Sequence, residues 1–182
     1  MAKKIMIIRH GEKPDKKNSV KGVTAAGVKD KQELSTRGWQ RSGALVRFFN
    51  PVNKQCSHPA LAVPDVVLAE DPKGHIKSQR PLHTISALCQ SLHKKPVLRY
   101  TKGQELVLAK FAQAQSGVVL ICWEHNAIIE IANLLTGDKK SCPQKWQGKR
   151  FDLVWVFDLE GEKWKLTQVP QLLLPGDLPR PM

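Results

Sequence analysis

The sequence lacks any run of apolar residues that approaches the ~20 needed to cross a membrane as a helix. It also lacks the charged segment and long apolar stretch of a secretory signal peptide. We therefore expect a soluble, cytoplasmic protein with no membrane partner. Internal repeats and low-complexity segments are absent as well, and 182 residues of 41% hydrophobic composition suit one globular domain.

Cysteine is sparse, and its four positions form no pattern. Cys56, Cys89, Cys122 and Cys142 lie far apart, no pair has C-x-x-C spacing, and no histidine is close in sequence to two of them. A zinc site is therefore not expected. We expect reduced thiols and neither a metal nor an organic cofactor.

Acidic residues are few: 16 Asp and Glu stand against 29 Lys and Arg, which gives a formal net charge of +13. This excess favours an anionic partner, which leaves phosphorylated metabolites, phosphoproteins and nucleic acids open. The positive charge is concentrated in two segments, 13–31 and 139–150. Lysine-rich loops that serve only to stay solvated are equally compatible with this pattern.

Apolar strands alternate with amphipathic helices along the chain. The pattern predicts strands over 5–8, 65–69, 97–100 and 118–123, and helices over 37–49, 78–91 and 104–115 and through 128–135. Ser35 or Thr36 is expected to cap the first helix and Ser78 the second. A hairpin is predicted over 151–159 and 163–174, followed by a Pro-rich, poorly ordered tail over 175–182.

This order of elements predicts an α/β fold, a three-layer α/β/α sandwich. We expect a mostly parallel central sheet with an antiparallel C-terminal hairpin added at one side. The predicted domain covers residues 1–174. A long polar loop is expected over 12–33, because that segment has no sustained period.

Polar residues follow the most apolar strands directly. Arg9-His10-Gly11 follows the first strand, and Glu124-His125-Asn126 follows the strand over 118–123. Arg80 falls in the first turn of the helix after the second strand. Because ligands bind at the carboxyl ends of strands in open α/β sheets, and helix N-termini favour anions, these residues indicate an anion site at one edge.

The order Arg9-His10-Gly11, Leu34-Ser35-Thr36-Arg37-Gly38, Ser78-Gln79-Arg80, Glu124-His125 resembles the histidine phosphatase superfamily, the phosphoglycerate mutase-like group. The resemblance covers nearly the whole chain. Within the superfamily, the opening Arg-His-Gly-Glu-Lys-Pro is similar to a small bacterial branch. The resemblance implies a phosphoglycerate mutase-like fold and a phosphatase that acts through phosphohistidine.

The resemblance also implies roles for individual residues. His10 would be the nucleophile, and Arg9, Arg80 and His125 would bind the transferring phosphoryl group, with charge supplied by side chains instead of a metal. Further phosphate or substrate contacts are expected from Gly11, Lys13 and Asn126. The other histidines, His58, His75, His83 and His93, are expected to have no catalytic role.

The residue that protonates the leaving group is predicted less directly. In the mutase-like branch this acid is a Glu about two dozen residues beyond the second Arg, which points to Glu105. Glu124 is the competing candidate, because it is adjacent to His125 where the family usually has a small residue. Its bulk raises a second alternative, that it obstructs the pocket.

Three functions remain open from the sequence. The first is a metal-independent phosphomonoesterase acting on a small anionic substrate, with phosphoproteins not excluded. The second is a phosphomutase, which differs only in keeping water out. The third is a module that binds phosphate or nucleic acid and has lost turnover, although specific nucleic-acid binding is not expected.

Overall fold

The computed structural model describes residues 1–73 and 77–182. Residues 74–76, which include His75, lie outside the described residues. Within these ranges the strands are β1 (Lys4–Arg9), β2 (Val66–Ala69), β3 (Val118–Trp123), β4 (Leu153–Glu160) and β5 (Lys163–Pro170), and the helices are α1 (Thr36–Phe49), α2 (Arg80–Ser91), α3 (Glu105–Ala114) and α4 (His125–Thr136). None of the helices in the described part of the chain is both long and apolar enough to cross a membrane.

The strands form one sheet of order β2-β3-β1-β4-β5. β1 and β2 both run parallel to β3, while the β4–β5 hairpin joins β1 in antiparallel orientation. The sheet is therefore mixed, with a parallel half and a hairpin added at one side, and the predicted α/β fold is confirmed. Ile8 is paired with Cys122 and Arg9 with Trp123, so the residues that follow β1 and β3 emerge side by side.

Both faces of the sheet are covered by helices. Ile5 and Ile7 of β1 belong to the core that contains residues of α3 and α4, whereas Met6 and Ile8 belong to the core that contains residues of α1 and α2. A strand buried on both faces needs apolar side chains at every position, not at alternate ones. This explains the uninterrupted apolar run at the start of the chain.

Three local predictions need correction. The predicted strand over 97–100 is a single bridge between Val97 and Leu68, because β2 ends one residue after Leu68. Ser78 does not cap α2; its hydroxyl accepts a hydrogen bond from Arg80 (3.3 Å), and Gln79 precedes the helix without a side-chain cap.

β5 ends at Pro170, four residues before the predicted end, and Leu172 has a positive φ of 52° that is incompatible with a strand. Ser35 is the cap of α1, as one of the two predicted alternatives.

The segment 175–182, expected to be poorly ordered, packs against the rest of the molecule. Asp177 forms a buried ion pair with Arg41 (2.7 Å) and accepts hydrogen bonds from the backbone of Leu173 and Leu174. Farther along, the Leu178 amide donates to Asp152 (2.7 Å). The Pro-rich composition concealed this anchoring, because it depends on one acidic side chain meeting a buried arginine from α1.

Candidate active site

His10 follows β1 and is buried, with 4% of its surface exposed. Its Nδ1–H donates to the carbonyl of Gly11 (2.7 Å), which fixes the tautomer and leaves the Nε2 lone pair available. Burial lowers the pKa of His10 to about 3, and the positive charges of Arg9, Arg80 and His125 act in the same direction. The imidazole is therefore neutral at physiological pH, as a nucleophile must be.

Arg9 lies beside it, equally buried, and only partly hydrogen-bonded. Nη1 donates to the carbonyls of Gly148 (2.8 Å) and Arg150 (3.2 Å), and the guanidinium lies 3.8 Å from the ring centroid of Phe151. Nε and Nη2 are buried and have no partner among the described residues. Burial lowers the pKa of Arg9 to about 10, against the opposing charges of Glu124 and Glu12. Unpartnered buried donors on a cation mark a place for an anion.

His125 is the first residue of α4, which begins directly after β3. Its Nδ1 lies 2.6 Å from a Glu124 oxygen, but this buried atom makes no hydrogen bond with acceptable geometry within the described residues. Burial lowers its pKa, and Arg9 adds to the effect while Glu124 opposes it. The positive charges of Lys13 and Lys102, which belong to two other segments of the chain, also lower the pKa of His125. Lys13 itself is exposed.

Arg80 begins α2, and the backbone of the long loop holds its guanidinium. Nη2 donates to the carbonyl of Lys31 (2.7 Å) and Nε to that of Glu33 (3.2 Å). With the contact to Ser78, three of the five N–H groups are used and two remain available. Burial lowers the pKa of Arg80. Its positive charge also acts to lower the pKa of His10.

Thr84, which the sequence analysis did not single out, connects these parts. Its hydroxyl accepts from the Gly11 amide (2.7 Å) and donates to the Arg80 carbonyl (2.7 Å). The Gly11 amide, expected to contact phosphate, is thus committed to Thr84. A Cβ on Gly11 would lie 3.0 Å from the Gly38 carbonyl oxygen, so this glycine allows the loop after β1 to approach α1 closely. The sequence signal for Thr84 was its position four residues after Arg80, which places the two residues on the same face of a helix.

Several solved structures that share this arrangement of elements are named as phosphatases. Phosphoserine phosphatase from Entamoeba histolytica superposes with a TM-score of 0.57 at 13% identity, covering 92% of this chain and 95% of that chain. The mycobacterial glucosyl-3-phosphoglycerate phosphatase gives 0.56 at 10% identity, with coverages of 92% and 97%. The alpha-ribazole phosphatase from Shigella flexneri gives 0.54 at 13% identity, with coverages of 90% and 94%.

The fold is the phosphoglycerate mutase-like fold of these phosphatases. This confirms the fold that the resemblance of Arg9-His10-Gly11 and the later motifs implied. By sequence, no protein-family model and no curated protein matches the chain. Identities this low establish a shared fold, and the activity of this chain has to be argued from its own site.

Within the histidine phosphatase fold, the two carboxyl groups predicted as acids occupy different environments. Glu105 is 1% exposed, and its carboxylate accepts from the Trp123 indole (3.1 Å) and the Gly103 amide (2.9 Å). Glu124 caps α4, accepts from the amides of Asn126 (3.2 Å) and Ala127 (3.3 Å) and pairs with Lys102 (3.1 Å). The oxygens of both carboxylates are thus engaged by hydrogen bonds or ion pairs within the protein.

The pKa of Glu124 reflects that environment. Burial raises it, but the hydrogen bonds from Asn126 and Lys102 and the neighbouring positive charges outweigh burial and lower it overall. The side-chain amide of Asn126, expected to bind phosphate, donates to Glu124 Oε1 (3.1 Å). Glu124 is thus directed toward the start of its own helix.

Glu70 is a third carboxyl group at the site, and the sequence analysis missed it. It directly follows β2 and is buried. Burial raises its pKa, and the charges of Glu124 and Glu105 add to the effect. Its negative charge in turn acts to raise the pKa of Arg80, against the lowering by burial. The sequence signal for Glu70 was its position directly after β2, one of the three strands that end at this edge.

No group of three or more His, Cys, Asp or Glu side chains in residues 1–73 and 77–182 is arranged to hold a metal ion. The four cysteines are free thiols. Burial raises the pKa of Cys122 well above its ordinary value, so this thiol stays protonated.

Proposed function

We propose that this protein hydrolyses phosphomonoesters through a phosphohistidine formed on His10. The proposal is carried by the pairing of a buried, neutral imidazole with two buried N–H groups of Arg9 that have no partner in residues 1–73 and 77–182. A neutral nucleophile and an unsatisfied cation side by side suit the attack of nitrogen on a dianionic phosphoryl group. The fold shared with named phosphatases supports the same reaction class.

In the first step, the Nε2 lone pair of His10 attacks phosphorus and the bond to the leaving oxygen breaks. The electron pair of that bond goes to the oxygen, which takes a proton from a carboxylic acid of the site. Arg9 and Arg80 bind the non-bridging oxygens, and His125 stabilises the charge that develops on them. In these roles the cationic side chains supply the charge that Mg²⁺ supplies in kinases.

In the second step, a water oxygen attacks phosphorus and the P–N bond breaks, returning its electron pair to Nε2. The carboxylate takes the proton from the water and is ready for another cycle, and inorganic phosphate leaves. The Nδ1–H bond to Gly11 holds the ring in one orientation throughout both steps.

For the acid, Glu70 now stands ahead of Glu105 and Glu124. An acid must hold its proton near neutral pH, which requires a raised pKa. Burial moves the pKa of Glu70 in that direction, whereas the contacts of Glu124 lower its pKa. Glu105 remains the candidate by sequence spacing, although its oxygens are already engaged by Trp123 and Gly103.

The test is a hydrolysis screen against a panel of small phosphomonoesters with metals chelated, followed by rapid quench of the enzyme with labelled substrate. We expect phosphate release and an acid-labile, base-stable phosphoenzyme that His10→Asn abolishes. His93→Asn is the matched control, because His93 is exposed and has a positive φ of 53°, which Asn tolerates. Full turnover in His10→Asn would refute the mechanism, and transfer to a second hydroxyl of the substrate would identify a mutase.

A further inference from the structure

A cavity of about 500 Å³ opens between the loop after β1 and the segment that precedes β4. Residues 12–17 and Val20 line one side, and Gly148, Lys149 and Phe151 line the other. The volume falls within the range of ~300 to 1,000 Å³ that is typical of small-molecule sites.

Phe151 and Gly148 connect this cavity to the proposed nucleophile. The centroid of the Phe151 ring lies 6.1 Å from the centroid of the His10 ring. The same Phe151 centroid lies 3.8 Å from Cζ of Arg9. The carbonyl of Gly148 accepts the hydrogen bond from Arg9 Nη1. The cavity therefore adjoins the site through the residues that hold Arg9. Lys13, which lines it, also acts on the pKa of His125.

The lining carries an excess of uncommitted positive charge. All four lysines of the lining lack a carboxylate within ion-pair distance in the part of the chain that the structure describes: Lys13, Lys16, Lys17 and Lys149. Of the two carboxylates in the lining, Glu12 is paired with Arg41 (2.7 Å) and Arg37 (3.1 Å). Asp15 accepts from the backbone of Lys17 (2.9 Å) and the side chain of Asn18 (2.7 Å).

The cavity also offers apolar surface. Pro14, Val20 and the face of Phe151 lie among the charged groups, and they suit the carbon skeleton of a ligand whose anionic end meets the lysines. Lysine ammonium groups are compact point charges without the planar donor geometry of the arginine guanidinium. They can therefore donate hydrogen bonds to either a carboxylate or a phosphate.

We propose that this cavity binds the leaving group of the substrate, and that the leaving group carries a second anionic group, a carboxylate or a phosphate. This inference rests on the proposed function. It assigns the substrate class, small phosphomonoesters with an anion at the far end of the molecule, and it gives the lysines of two separate segments a common role.

The experiment compares two substrates that differ only at the end remote from the phosphate. 6-Phosphogluconate has a carboxylate at C1, and glucitol 6-phosphate has a hydroxymethyl group there. We expect kcat/KM to be at least ~10-fold higher for the carboxylate, mainly through KM, and the advantage to shrink as salt rises. A second pair, fructose 1,6-bisphosphate and fructose 6-phosphate, shows whether phosphate serves as well as carboxylate.

The variant Lys16→Gln/Lys149→Gln should move the ratio between the paired substrates toward unity. The control, Lys95→Gln/Lys163→Gln, removes the same charge from exposed positions at the opposite end of the sheet and should leave the ratio unchanged. Equal kcat/KM values for both members of both pairs, or a ratio that the first variant leaves unaltered, would overturn the inference alone. Failure to hydrolyse any phosphomonoester would instead overturn the proposed function.

Discussion

The buried imidazole of His10 makes folding stability depend on pH in a way that a single substitution removes. In the unfolded chain His10 has an ordinary pKa of 6.5, and burial lowers it to about 3 in the folded protein. Between these values the unfolded state binds a proton that the folded state does not. Stability attributable to this group is therefore complete above pH 6.5 and is lost as the pH falls toward 3.

The size of the effect follows from the interval of pH that is crossed. Each pH unit below 6.5 costs about 1.4 kcal/mol while the folded His10 stays neutral. Acidification from pH 7.5 to pH 5 covers about 1.5 units of that range, so wild type should lose about 2 kcal/mol through His10 alone. His10→Asn removes the titration but retains a side-chain N–H that can donate to the Gly11 carbonyl.

The assay is urea unfolding of wild type and His10→Asn at several pH values, in buffers free of phosphate and sulfate so that no anion binds at Arg9. Because all other groups titrate in both proteins, the difference between the two curves isolates His10. We expect wild type to lose about 2 kcal/mol more than the variant over this range. Parallel curves would refute the conclusion that His10 is neutral because it is buried among cations.

Two further predictions concern the acid and the packing at α1. Replacing the true acid by Gln should lower the rate ~10²- to 10⁴-fold on an alkyl phosphate but little on p-nitrophenyl phosphate, whose leaving group needs no proton. We expect this selective loss for Glu70→Gln. If Glu105→Gln or Glu124→Gln shows it instead, the role of acid belongs to that residue. Gly38→Ala would place a Cβ 2.5 Å from the Glu12 carbonyl oxygen and should cost ~1 to 3 kcal/mol in chemical denaturation. At Gly43 in the same helix, an added Cβ would meet no atom within 4 Å among the described residues outside the neighbouring helix backbone. Gly43→Ala should therefore be neutral or stabilising, and equal effects of the two substitutions would contradict the close approach.

Much of the fold and part of the site follow from local sequence patterns. The apolar runs that became β1, β2 and β3 have to be buried, and each is followed directly by the polar residues that now lie at one edge. Arg9-His10-Gly11 and His125 could be recognised because a strand end and a helix start each place a side chain by short-range geometry alone. Ser35 as the cap of α1 is predictable for the same reason.

Other features depend on contacts between segments that are distant in sequence. Whether a carboxyl group is an acid or a structural acceptor depends on its neighbours: Trp123 engages Glu105, Lys102 and the start of α4 engage Glu124, and burial raises the pKa of Glu70. The order of the tail likewise depends on Arg41 meeting Asp177 across 136 residues. Local patterns were sufficient to predict β1, β2, β3, the four helices, and Arg9, His10 and His125 at the sheet edge, because these follow from periodicity and local hydrogen bonding. Which charges are paired, buried or left free could not be predicted from these patterns, because burial and electrostatic partners exist once the chain has folded.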